Sequence, residues 1–97
     1  MEFIAVDIGT TFIKAAVVEV DELQIRSVSR RKSPPRINNA DPLFHELDPV
    51  RIVEETRGLI VELAESVPAC SGVLLCGQMG GLVLCNERAE PVSPYIS

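Results

Sequence analysis

The sequence predicts a mixed α/β domain in which a three-stranded meander precedes one helix and further strands. β-Branched and apolar residues recur over 3–7, 12–20 and 23–30, as in strands. Apolar residues then follow helical spacing after residue 48, and a short apolar run comes next. With 97 residues and 46% hydrophobic content, the chain has enough apolar material for one core and no more than one domain, 1–97.

The first three predicted strands are joined by short turns, one of them the polar pair Asp21-Glu22. The net charge is −5, yet five of the nine basic residues fall within residues 26–36, which contain no acid. These are Arg26, Arg30, Arg31, Lys32 and Arg36. Such a stretch is typical of a solvated edge strand and loop, and the alternative is a surface for an acidic partner.

Residues 31–44 predict a long, mobile surface loop, because Ser33-Pro34-Pro35, Asn38-Asn39 and Asp41-Pro42 disfavour both helix and central strand. A helix is predicted next. Asp48 can accept hydrogen bonds from free backbone amides at the helix start, and proline at the first helical position loses no hydrogen bond. The helix is expected to continue to about Ser66.

One face of that helix is predicted to pack on the sheet, and four glutamates are predicted to face mainly water. The apolar face comprises Val53, Ile60, Leu63, Ala64 and Val67. The solvent side comprises Glu54, Glu55, Glu62 and Glu65. Pro68 ends the helix.

Residues 73–76 form a continuous apolar run, which predicts a strand buried on both faces. Residues 77–81 interrupt it, 82–85 resume an extended pattern, and 86–90 predict a turn. A last extended segment starts at Pro91 and reaches Ser97 without a closing turn. We therefore expect the chain to be part of a longer protein, with open sheet edges that favour self-association.

Three cysteines lie in apolar surroundings without metal-ligand spacing, and the chain has a single histidine. We expect Cys70, Cys76 and Cys85 to be buried free thiols, which places the protein in a reducing cytoplasm. The first residues do not have the pattern of a secretion signal, and no segment has the length of a membrane span.

The residues Asp7-Ile8-Gly9-Thr10-Thr11, between two apolar runs, are the candidate functional motif. Gly9 can adopt positive φ and let a phosphate approach the backbone, and the two hydroxyls add donors. Asp7 offers a hard oxygen to Mg²⁺ or to one of its waters. Because Asp, Gly and Thr are also common in turns, an ordinary hairpin is the alternative.

Three segments together resemble the N-terminal part of the FGGY carbohydrate kinases, over nearly the whole chain. The first is residues 7–11 with Lys14-Ala15-Ala16, the second is residues 46–49, and the third is residues 77–84 with 90–96. The third segment is most similar to the xylulose kinase form. The resemblance implies part of the first lobe of an actin-like, ribonuclease H-like ATPase fold.

The resemblance further implies ATP-dependent phosphorylation of a pentulose-type sugar or polyol by the longer protein. ATP and Mg²⁺ would be held by Asp7, Gly9, Thr10, Thr11 and Lys14, and the sugar by Gln78, Met79, Gly80 and Gly81. The catalytic aspartate of the family would lie beyond Ser97, so the chain alone is expected to be inactive, with no catalytic residue of its own. Neither nucleic acid nor a membrane is an expected partner.

One departure from the pattern concerns the sugar. Gly80 stands where xylulose kinases commonly have a sugar-contacting histidine, which puts xylulose itself in doubt. Two other functional classes stay open: a non-catalytic actin-like or chaperone-type nucleotide-binding protein, and a small interaction module that uses the basic stretch.

Overall fold

A four-stranded sheet with one covering helix forms the fold, in a computed structural model that describes residues 1–37, 41, 43, 45–77 and 80–96. The elements, in chain order, are β1 (Glu2–Ile8), β2 (Phe12–Glu19), β3 (Gln24–Lys32), β4 (Glu46–Leu47), α1 (Pro49–Ala64), β5 (Cys70–Gly77) and β6 (Tyr95–Ile96). The large sheet has the order β3-β2-β1-β5, and β4 pairs with β6 in a separate ribbon. The predicted mixed α/β fold, with a meander, a helix and further strands, is confirmed.

The meander is antiparallel throughout, and β3 forms one edge of the large sheet. β3 extends to Lys32, so the prediction of a loop from residue 31 was wrong for its first two residues. Ser33 and Pro34, which follow, are buried rather than on the surface. Hydrogen bonds to neighbouring segments hold this stretch: Ser33 N donates to Thr11 O at 2.9 Å, and Ile37 N donates to Glu46 O at 2.8 Å.

The helix begins as predicted. The Asp48 carboxylate accepts a hydrogen bond from the Val50 amide at 3.0 Å, and proline occupies the start of the first turn. The helix ends at Ala64, two residues before the predicted end, and Ser66 caps the last turn by donating its hydroxyl to Leu63 O at 2.9 Å.

The core lies between α1 and one face of the sheet. It comprises Ile4, Val6, Ile13, Ala15, Val17, Leu59, Leu63 and Val67. The predicted helix stripe was right for Leu63, Val67 and the partly buried Ile60, but Val53 and Ala64 are exposed. Leu59 is fully buried instead, because the helix axis places the 52–56–59–63 row over β1, β2 and β3. Among the four glutamates, three are exposed and Glu55 is half-buried beside Arg31.

β5 pairs in parallel with β1 and forms the other edge of the sheet. The prediction that residues 73–76 are buried on both faces was wrong: Val73, Leu74 and Leu75 are 42%, 49% and 64% exposed. The helix packs over the other three strands and leaves β5 uncovered. All three cysteines are free, as expected, but they are exposed, which corrects the prediction of buried thiols.

Residues 82–96 fold into an irregular hairpin. Leu82 and Ile96 exchange two backbone hydrogen bonds of 2.9 Å, and Val92 N donates to Leu84 O at 2.8 Å. The predicted turn at 86–90 is present, closed by the Asn86 side chain, which accepts from the amides of Arg88 and Glu90. Within the described part of the chain, no helix is both long and apolar enough to cross a membrane.

Candidate functional site

The hairpin between β1 and β2 carries the candidate phosphate motif and has a tightly constrained backbone. The Gly9 amide donates to Phe12 O at 3.0 Å, which places Thr10 and Thr11 at the exposed tip. A Cβ on Gly9 would lie 2.7 Å from Phe12 O, closer than real Cβ contacts. Gly9 is not among the described residues with positive φ, so the turn does not use the left-handed conformation that glycine can adopt. Glycine is required there because the chain returns so closely upon itself.

Ser33, which directly follows β3, holds this hairpin by two hydrogen bonds. Its hydroxyl donates to Gly9 O at 2.7 Å, and its own amide donates to Thr11 O, so one residue after β3 holds both sides of the turn. Ser33 is 8% exposed, which means that water cannot easily replace these bonds. In the sequence, the only sign of this contact is a serine at the end of a strand.

A row of polar side chains crosses the sheet one residue pair from the hairpin. In the strand register, Asp7 of β1 lies between Cys76 of β5 and Lys14 of β2. These residues point to the face opposite α1, where they line an open cavity of about 190 Å³ with Ala5, Ala16 and Val28. Asp7 and Lys14 are both exposed, so a ligand at the hairpin tip has access to a carboxylate and an ammonium group side by side.

The Cys76 thiol donates to Asp7 Oδ1 at 3.5 Å. This hydrogen bond, with smaller contributions from desolvation and the carboxylate charge, raises the pKa of Cys76. The thiol therefore stays protonated and remains a donor to Asp7 at neutral pH. No sequence pattern links these two residues, which are 69 positions apart and meet only because β5 pairs with β1.

Asp7 alone cannot build a protein-only metal site, and the described residues contain no group of three or more His, Cys, Asp or Glu that could hold a metal. A single exposed carboxylate fits a different type of Mg²⁺ binding, in which phosphate oxygens and waters supply most of the ligands. Asp7 is therefore suited to a magnesium ion that arrives with a polyphosphate, through direct or water-mediated contact.

The predicted sugar-binding segment is described only in part, because Gln78 and Met79 lie outside the described residues. Gly80 has φ of +85°, and a Cβ added there would have no atom within 4 Å, so backbone conformation and not lack of space favours glycine. Gly81 packs against the Tyr95 ring, which a Cβ would overlap. The two predicted glycines thus shape the backbone where β5 leads into the hairpin.

A second cavity, of about 240 Å³, lies behind the turn between β1, the start of α1 and the 82–96 hairpin. Ile8, Leu47, Ile52, Val83 and Tyr95 are among the residues that line it. This lining is mainly apolar and offers few partners to a polyhydroxylated ligand. The cavity on the open face is also lined mainly by apolar side chains, but it offers the Lys14 ammonium to an anion. No charged side chain is among the described residues that line the second cavity.

Comparisons with solved structures identify the same architecture in sugar and polyol kinases. A xylulose kinase from Rhodospirillum rubrum matches with a TM-score of 0.82 at 26% identity, over 99% of this chain and 20% of that protein. A gluconate kinase from Lactobacillus acidophilus matches at 0.85 and 20% identity, over 99% of this chain and 19% of that protein. A Plasmodium falciparum glycerol kinase with ADP matches with a TM-score of 0.79 at 17% identity, over 98% of this chain and 20% of that protein.

No protein-family model and no curated protein sequence matches the chain. The structural likeness extends over almost every residue, and the chain spans about a fifth of the length of these kinases. The chain has the fold of an N-terminal piece of an FGGY-type kinase lobe, as its sequence motifs predicted.

Proposed function

We propose that this chain forms the first phosphate-binding element and part of the sugar site of an ATP-dependent carbohydrate kinase. The observation that carries the proposal is the constrained hairpin at Gly9 with Asp7 and Lys14 side by side next to it, within a fold matched by sugar kinases. Thr10 and Thr11 at the tip supply hydroxyl donors. The acceptor is a sugar or polyol of the pentulose type.

Each residue has a distinct role in this proposal. The turn of Gly9, Thr10 and Thr11 holds phosphate oxygens, while Lys14 neutralises part of their charge. Asp7 binds Mg²⁺ directly or through water and so orients the metal against the phosphates, and Cys76 leaves Asp7 Oδ2 free by bonding to Oδ1. When bound, ATP supplies the phosphoryl group that is transferred.

Gln78, Met79, Gly80 and Gly81 form the sugar side of the proposed site. Gly80 has no side chain to donate a hydrogen bond, which leaves room for a sugar other than xylulose. The general base belongs to a part of the longer protein beyond Ser97, and the protein acts in the cytoplasm, where free thiols such as these three persist.

Phosphoryl transfer depends on positioning and on charge neutralisation around the whole γ-phosphate. A chain that holds only one side of the polyphosphate is therefore expected to bind Mg-ADP weakly and to show no turnover. In a coupled assay with Mg-ATP and a panel of ketoses and polyols, activity above a mock purification would contradict this expectation.

Mg-ADP binding tests the proposal directly. Amide NMR spectra of the 97-residue chain should show shifts that begin at residues 9–11 and 14, and D7N should abolish the magnesium dependence of those shifts. If the chain binds peptides and its hairpin does not respond to Mg-ADP, the result would favour an interaction module over a sugar kinase. The matched control is D41N, which removes the same charge from a residue outside the sheet.

A further inference from the structure

The basic residues of β3 divide into two sets that face opposite sides of the sheet. Arg31 lies opposite Ile13, and Arg26 lies opposite Val17, so both share the helix-covered face. A β-bulge between these positions, with Ser27 at φ of 55°, keeps both arginines on that side. Arg30 and Lys32 lie opposite Lys14 and Phe12, on the open face.

The two sets also differ in their partners. Arg26 forms an ion pair with Glu2 at 2.6 Å, and Arg31 forms one with Glu55 at 3.4 Å. Within the described part of the chain, Lys14, Arg30 and Lys32 form no ion pair. The helix side of the basic stretch is therefore neutralised by the protein's own acids. Among the described residues, the open side carries Arg30, Lys32 and the neighbouring Lys14 without an ion pair, close to the Asp7 carboxylate.

Arg30 is held in a defined place by an aromatic ring. Its guanidinium carbon lies 4.2 Å from the centroid of the Phe12 ring. Phe12 directly follows the hairpin tip, so the guanidinium lies nearer the tip than its Cα, which is paired with Lys14. A guanidinium that stacks on a ring by its face keeps its N–H edge available, and that edge fits two oxygens of a phosphate.

We infer that Arg30 is a further polyphosphate-binding residue, which extends the proposed site from the hairpin tip onto β3. This inference rests on the proposed phosphate-binding role of the hairpin. Phe12 is the platform that orients the guanidinium, and Lys14 lies between Arg30 and Asp7 in the same row. A phosphate chain on this face would thus meet hydroxyls, an ammonium and a guanidinium, with Mg²⁺ at Asp7.

Inorganic tripolyphosphate is the first probe, because its binding needs no adenine pocket and no sugar. We expect R30Q to weaken its binding to the 97-residue chain by about fivefold or more at low salt, as loss of a charged hydrogen-bonding partner does. R30K retains the charge but not the planar pair of N–H donors, so its affinity for tripolyphosphate should lie between those of R30Q and the wild type. F12L should also weaken binding, because the guanidinium loses its platform.

R88Q is the matched control, because Arg88 is an exposed arginine in the 86–90 turn, away from the sheet. It should change the affinity by less than about twofold, because Arg88 is already ion-paired with Glu90 and lies in a turn outside the four-stranded sheet. Circular dichroism melts of each variant without ligand establish that the fold is kept. Equal losses in R30Q and R88Q would mean general charge attraction and would overturn the inference.

The remaining outcomes separate the inference from the proposed function. If the wild type binds both tripolyphosphate and Mg-ADP, and R30Q binds them as tightly, Arg30 has no role and only the inference fails. If tripolyphosphate binds in an Arg30-dependent way but Mg-ADP does not compete, the inference holds and the nucleotide role fails. If neither anion binds the wild type at millimolar concentration, both fail.

Discussion

The two faces of the sheet are built from alternate residues of the same strands, yet they have opposite properties. On the helix-covered face, Ile4, Ile13 and Val17 are at most 1% exposed. On the open face, Asp7, Lys14 and Cys76 are all exposed, and they form the candidate site. Because successive side chains of a strand point to opposite sides, one stretch of sequence supplies both the core and the chemistry.

Stability and the proposed ligand binding should therefore be separable in this chain. Substitutions on the covered face should change the free energy of unfolding and leave the charges of the open face in place. Substitutions on the open face should change those charges and leave the free energy of unfolding nearly unchanged. The hairpin at Gly9 has structural hydrogen bonds and also carries the proposed phosphate donors, so its substitution should change both stability and binding.

The largest effect is expected for Leu59→Ala, at the centre of the core. Leu59 is 0% exposed, and removal of its side chain should lower the free energy of unfolding by about 2–5 kcal/mol. Urea denaturation followed by circular dichroism measures the loss. Val61→Ala, on the same helix but 57% exposed, is the matched control and should stay within about 0.5 kcal/mol of the wild type.

The next largest effect is expected for Gly9→Ala, because the new Cβ would press against Phe12 O. Relief of this contact requires the turn to open, which should cost about 1–3 kcal/mol and weaken any anion binding at the tip. Thermal melts and tripolyphosphate titrations check the two effects. Gly80→Ala is a useful contrast, because there the cost comes only from the φ of +85°. Full stability with G9A would show that the turn has room to adjust.

Ser33→Ala should have a smaller effect, of about 1 kcal/mol, since it removes one hydrogen bond and leaves Gly9 O without that donor. Amide hydrogen exchange should become faster at positions 9 and 33, whose amides donate to Phe12 O and Thr11 O, while the exchange at core amides of β1 should follow only the global change. The control is Ser29→Ala, whose hydroxyl makes only a long contact of 3.4 Å to Glu62. Unchanged exchange at the hairpin in S33A would contradict the role given to Ser33.

The smallest effect on stability, but a clear chemical one, is expected for Asp7→Asn. The Asp7 carboxylate raises the pKa of Cys76, so its removal should lower that pKa and increase the thiolate fraction at a given pH. In metal-free buffer at about pH 8, near the ordinary thiol pKa, iodoacetamide should modify Cys76 faster in D7N than in the wild type. Cys70 and Cys85 serve as internal controls and should react at unchanged rates. An equal rate at Cys76 would mean that the contact with Asp7 is absent in solution.

Much of the secondary structure was predictable because its signals are local. The Asp48-Pro49 helix start and the 86–90 turn each depend on residues within a few positions of one another, and the meander joins neighbouring strands by short turns. β4 was missed, since two residues form a strand there only by pairing with Tyr95 and Ile96. The motif at 7–11 was also recognisable from adjacent residues. Glycine is needed at position 9, however, because of a close contact with Phe12 O and not because of positive φ.

The sequence by itself determined the order of the main strands and the helix, the alternation that makes one face apolar, and the motif residues of the candidate site. Tertiary structure alone decided which apolar runs are buried. Residues 73–75 have the composition of a buried strand, yet they are exposed because α1 packs on the other three strands and β5 forms an edge. Strand pairing likewise brought Cys76 to Asp7 and set Arg30 beside Lys14. Local propensity acts between near neighbours in the chain, whereas burial and charge pairing depend on groups that meet only after folding.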